Sequence, residues 1–108
     1  MASLRKNINI ETFNSKLEFI ISEDIYKDIK RIYKSYDSDV VNYQEVEGIF
    51  ISSNGSKYHL VIDKEYLTHN TIAHEVYHSV IRITGDKDVI DEETRAWMCG
   101  YITEKIYN

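Results

Sequence analysis

The chain of 108 residues has no proline, four glycines and a single cysteine. Without proline no fixed kink punctuates it, so its turns must rest on glycine, asparagine, aspartate and serine. The one cysteine, Cys99, excludes an intrachain disulfide and agrees with a reducing compartment. No apolar run approaches the roughly 20 residues of a membrane span. The opening stretch, Met1 to Asn9, carries Arg5 and Lys6 but not the apolar segment of a signal peptide. Basic charge is also in deficit: 13 Lys and Arg stand against 18 Asp and Glu, a formal net charge of −5. The densest basic patch, Lys27, Lys30, Arg31 and Lys34, reads as the wet face of a helix. Neither nucleic acid nor a membrane surface is therefore an expected partner, and a cytoplasmic location is expected.

Apolar residues, at 43% of the chain with 12% aromatic, are sufficient for a core. The length fits one domain over residues 1–108, with the first dozen residues either loose or an edge strand. A core this small gains from a staple, and a metal tying helices together would serve as one.

Periodicity divides the chain. Leu17, Phe19 and Ile21 alternate, which predicts a short strand from Leu17 to Ser22. Ile25, Ile29, Ile32 and Tyr36 recur at helical spacing after a cap at Ser22 or Asp24, and this helix should fade over Ser35 to Ser38. Val46 to Ser52 and Tyr58 to Asp63 are β-rich and flank Ser53-Asn54-Gly55-Ser56, a strong hairpin signal. A second helix is expected from Thr68 or Asn70 to Thr84, stopped by Gly85, with Ile72, Val76, Val80 and Ile83 on its buried face. Asp91 should cap a last helix, with Glu92 and Glu93 in its first turn and Ala96, Trp97, Gly100, Tyr101 and Ile102 turned inward. The expected fold class is α+β: an N-terminal helix, a small antiparallel sheet, a metal-binding helix and a C-terminal helix.

The metal-binding helix is the one carrying His74-Glu75-Val76-Tyr77-His78, an H-E-x-x-H match. Residues four apart lie one above the other on a helix, so both imidazoles can reach one zinc ion. Glu75 sits one residue round from the first ligand, within reach of a water on that ion and able to take its proton. A catalytic zinc needs a third protein ligand and an open fourth position. The candidates are Glu92, Glu93, His69, His59, Asp91 and Cys99. Two antiparallel helices joined at Gly85 to Asp88 would return the first turn of the last helix beside the motif. Glu93 is preferred over Glu92 because it shares a face with Ala96, Trp97 and Gly100. Cys99 reads as a small buried hydrophobe, His69 as a cap or surface residue, and His59 as a strand residue. Tyr101 lies two turns beyond Glu93 on the same side, where its hydroxyl could reach the site.

With His74 to His78 followed by Glu93-Thr94-Arg95-Ala96, the chain resembles the glutamate-type zincins, whose pattern is H-E-x-x-H and then E-x-x-A. More narrowly, Tyr58 to Ile106 is similar to small phage and prophage metallopeptidase-like proteins. The resemblance implies a zincin-like domain with zinc ligands His74, His78 and Glu93 and a general base at Glu75. It also implies that the strand near Tyr58 to Asp63 flanks the cleft and aligns substrate backbone. The chain departs from larger zincins in having no second domain for the far wall of the cleft and no recognisable oxyanion-stabilising His or Tyr. The function expected is a zinc-dependent hydrolase acting on a peptide or protein substrate, in the cytoplasm of a host cell if phage-encoded. The alternative is a non-catalytic interaction protein or inhibitor that uses a structural zinc on the same scaffold.

Overall fold

In the computed structural model of the protein, residues 3–36, 47–52 and 56–108 are described. The elements run β1 (Leu4–Ile10), β2 (Ser15–Ser22), α1 (Ile25–Ser35), β3 (Gly48–Ser52), β4 (Lys57–Asp63), α2 (His69–Asp86) and α3 (Glu92–Tyr107). Four strands form one sheet in the order β1-β2-β4-β3. The class is α+β, as the alternation of periods implies. The opening residues are an edge strand and not a loose arm, because Ile8 and Ile10 are buried and Lys6 donates to the carbonyls of Lys105, Ile106 and Asn108 at the end of α3.

The expected all-antiparallel sheet is corrected: β1 and β3 pair antiparallel with their neighbours, but β2 and β4 run parallel down the middle. The cause lies in their composition. Leu17 and Phe19 of β2 face one layer while Ile20 faces the other, and in β4 Tyr58, Leu60 and Ile62 oppose Val61. Strands covered on both faces favour a central parallel pair with helical crossovers. Here α1 covers one face through Ile25, Ile29 and Ile32, and α2 and α3 cover the other. The β3/β4 pairing follows the expected hairpin and α1 ends at Ser35, within the expected range, whereas the Asn54-Gly55 turn lies outside the described residues.

Capping fixes the helix starts. Asp24, Thr68 and Asp91 each accept a hydrogen bond from the backbone N–H three residues on. Ser22, the other candidate cap for α1, instead donates to the carboxylate of Asp28 at 2.5 Å, and Ser3 donates to the same oxygen at 2.7 Å. Burial pushes the Asp28 carboxyl up, but those two hydroxyls, with Arg31 and Arg5, outweigh burial and hold it below the usual value.

The end of α2 departs from expectation. The helix runs through Gly85 to Asp86, and the left-handed residue that stops it is Asp88, at φ 56°. Val89 N–H donates to Thr84 O and Asp88 N–H to Gly85 O, the paired bonds of a Schellman motif. The buried Tyr58 hydroxyl donates to Asp86 at 3.0 Å and ties this last turn to β4. Burial, together with the Asp86 carboxylate, pushes that phenol up to about 12, so it stays a donor.

The inward face of α3 is also corrected. Met98, Ile102 and Ile106 are buried, whereas Ala96, Trp97 and Gly100 are exposed. The long apolar side chains at 98, 102 and 106 form a four-residue ladder, and it takes the core from the smaller Ala96 and Gly100.

Candidate metal centre

The core face of α2 is set by Ile72, Val76, Ser79, Val80 and Ile83. Two residues beyond Ile72 and beyond Val76, about 200° round the helix, stand His74 and His78. Both are exposed, and Glu75 between them is half-buried. The two Nε2 atoms are 3.1 Å apart, with ring planes at 76°. Two nitrogens bound to one tetrahedral zinc at 2.0–2.1 Å would stand about 3.3–3.4 Å apart. The spacing is close to that of two positions of such an ion, while in this arrangement the two nitrogens are within hydrogen-bond distance of each other.

Glu75 leans the other way, toward the sheet. A cleft of about 340 Å³ is lined by Glu47, Gly48, Asn70, Thr71, His74 and Glu75. Gly48 opens β3, and a Cβ there would lie 3.2 Å from Glu75 Cγ. Glycine at that position lets the Glu75 side chain lie against the sheet edge. The strand beside the cleft is thus β3, which corrects the expectation for Tyr58 to Asp63: β4 is an inner strand, paired on both sides. The free edge of β3 has no strand beside it among the described residues.

The remaining candidates are not brought to the histidine pair. Arg95 Nε donates to Thr84 Oγ1 at 3.0 Å and His69 Nδ1 meets the Tyr107 hydroxyl at 2.5 Å, so α2 and α3 run antiparallel along their length. The first turn of α3 therefore lies beside the last turn of α2. At 1.5 Å per residue Thr84 is about 9 Å along the axis from His78 and about 15 Å from His74. Glu93 shares the exposed face of Ala96, Trp97 and Gly100, so the face argument that preferred it fails. Glu92 is the acid turned toward α2: it lines a groove of about 490 Å³ with Tyr77, Val80, Ile81, Ile90, Arg95, Ala96 and Cys99. Asp91 is spent as the α3 cap, and hydrogen bonds from Thr94 hold its carboxyl below the usual range. Burial pushes the Cys99 thiol up, which suits a packing residue more than a ligand. The Tyr101 hydroxyl donates to Asn9 O of β1 at 2.6 Å. Among the described residues no group of three or more His, Cys, Asp or Glu is placed to hold a metal.

Glu47, Gly48, Asn70 and Thr71 are cleft residues that pattern reading did not single out. The available signal was Gly48, since a glycine inside a strand often marks the close approach of another group. No family model, curated protein or solved structure matches the chain.

Proposed function

We propose that the protein is a zinc-dependent hydrolase of peptide or amide bonds, with His74 and His78 as metal ligands and Glu75 as general base. The observation that carries this reading is the 3.1 Å imidazole pair on the same turn as a carboxylate that lines a cleft against a sheet edge. Zinc at such a pair supplies Lewis acidity toward a carbonyl and brings the pKa of a water toward neutrality. Glu75 would be the carboxylate on hand to take a proton from water and pass it to the leaving amine. Its side chain lies against Gly48, so it approaches from the sheet side. The free edge of β3 suits an extended peptide, whose backbone would add to the sheet beside Glu75. A third ligand is needed; Glu92 is the α3 acid turned toward the α2 groove, but the first turn of α3 lies beside Thr84, so it does not reach the pair in this arrangement.

The test is metal analysis of tag-free protein together with Glu75→Gln. Stoichiometric zinc in both forms, with hydrolysis of a fluorogenic peptide pool by wild type alone, is the expected result. Equal cleavage by Glu75→Gln would sink the mechanism, and loss of zinc after His74→Ala but not after Glu92→Ala would remove Glu92 from the ligand set. The second reading, a non-catalytic interaction protein, draws on the exposed Tyr77, Ile90 and Trp97 on and beside α2 and α3. Bound zinc with no cleavage of any peptide in the pool would favour it.

A further inference from the structure

The face of the sheet under α1 carries a second group of reactive side chains, remote in the fold from His74 and His78. Glu18 of β2 and His59 of β4 are register partners in the parallel pair. His59 Nδ1 lies 2.9 Å from Glu18 Oε1. Its Nε2 is hydrogen-bonded to the hydroxyl of Tyr36, the residue that ends α1. The Tyr36 and His59 rings meet edge to face with centroids 5.5 Å apart.

The proton positions in this chain follow from chemistry. An ionised carboxylate can only accept, so Nδ1 carries the imidazole proton and donates it to Glu18. With the ring in that tautomer and uncharged, Nε2 presents its lone pair to the phenol, which donates. A nucleophile, a base within hydrogen-bond reach, and a third group that orients the base make the recurring arrangement of covalent catalysis. Glu18 and His59 are both largely buried, at 20% and 13% side-chain exposure, so the relay is held by packing as well as by its bonds. Tyr36 is half-buried and lies at the rim of the α1 layer.

We propose that Tyr36 is a nucleophile that takes an acyl group from an activated ester, with His59 as its base and Glu18 as the residue that positions the base. The phenolic oxygen bonds to the acyl carbon as the ester C–O bond breaks. The leaving oxygen departs with the electron pair, and the phenol proton passes to His59 Nε2 and then to the leaving group. The products are O-acyl Tyr36 and the free alcohol, with no change of oxidation state.

The probe is 4-nitrophenyl acetate, read by peptide mass spectrometry as acetylation at each tyrosine over time. Tyr66, at 37% exposure and with no such relay in contact among the described residues, is the internal reference. Tyr36 is expected to acetylate at least tenfold faster than Tyr66 in the same wild-type molecules. His59→Gln should slow Tyr36 by about 100-fold, the low end of general-base effects, and Glu18→Gln should slow it by less. Glu75→Gln should leave the Tyr36 rate unchanged, which separates this site from the metal centre. The ratio within wild-type protein decides the matter even where a relay variant fails to fold. Tyr36 labelling no faster than Tyr66 would overturn the proposal.

Discussion

Gly48→Ala tests the link between the sheet edge and α2 without requiring a substrate. The new Cβ would lie 3.2 Å from Glu75 Cγ, 3.3 Å from Glu75 Cδ and 3.3 Å from the carbonyl oxygen of Val61. Ordinary contact begins near 3.4 Å, so Glu75 must yield by a few tenths of an ångström. Replacing a strand glycine whose conformation alanine can share normally stabilises by about 0.4–1 kcal/mol, through the unfolded chain. Here crowding against Glu75 should cancel that gain. In a Glu75→Ala background the Cγ and Cδ atoms are gone, only the Val61 contact remains, and the gain should reappear. The cycle of Gly48→Ala and Glu75→Ala should therefore show a coupling of about 0.5–1.5 kcal/mol, within the range for residues in contact. Urea unfolding resolves this as a difference in midpoint of about 0.2–1.5 M, taking a slope of 1–3 kcal/mol per M. Additivity within 0.3 kcal/mol would refute the contact. If the hydrolase reading holds, the displaced base should also cost activity: scaling from about 100-fold per ångström, a shift of a few tenths predicts roughly a fivefold loss in kcat, with zinc affinity unchanged.

Two further substitutions probe the scaffold. Asp28→Asn keeps an oxygen for the Ser22 and Ser3 hydroxyls but loses the charge, and should lower stability by about 1–2 kcal/mol at pH 7. Because the folded-state pKa of Asp28 is depressed, its contribution is present above the unfolded value near 3.9 and fades as pH falls through the folded one. The acid limb of wild-type stability should thus flatten in the variant, and a limb of unchanged slope would exclude Asp28 as its source. Asp88→Gly removes a side chain held at φ 56° and should raise stability by about 0.5–1 kcal/mol in chemical unfolding, whereas a loss would mean that the Asp88 side chain helps hold the α2 end.

The sequence made the strands, the caps at Asp24, Thr68 and Asp91, and the core face of α2 legible, because each is set by neighbours within a few residues. The parallel pairing of β2 and β4 was less visible, since it depends on what covers each face and not on the strands' own period. Gly85 was misleading for a similar reason. Glycine is the usual left-handed stop, yet the chain reaches that conformation at Asp88, once Tyr58 has fastened the last turn through Asp86. The face argument for Glu93 over Glu92 does not hold. Of the expected inward residues Ile102 is buried and Tyr101 packs against the core, but Ala96, Trp97 and Gly100 are exposed and Met98 and Ile106 complete the buried ladder. The His74, Glu75 and His78 turn was legible because its spacing is local, while the Glu47 and Gly48 wall of its cleft comes from a strand more than twenty residues earlier.

The placement of the histidines also bears on what a metal would do for this fold. A structural zinc holds together elements that would otherwise separate, so its ligands come from at least two of them, and the apo form unfolds. Here the two imidazoles stand four residues apart on one helix, on the side opposite the core. The core joins α2 and α3 to the sheet through Val76, Val80, Ile83, Met98 and Ile102 without any help from the histidines. The idea of a metal staple, attractive for so short a chain, therefore finds no support in the way α2 is seated. Protein stripped with a chelator should keep its near-ultraviolet circular dichroism and unfold in one cooperative transition. Added zinc should then raise the midpoint only as mass action on a native-state ligand requires, by about 2.7 kcal/mol at 100 times Kd. Loss of tertiary signal on chelation would show that the metal joins elements of the fold. A cooperative apo protein would leave the exposed pair free for chemistry on whatever enters the cleft beside Glu75.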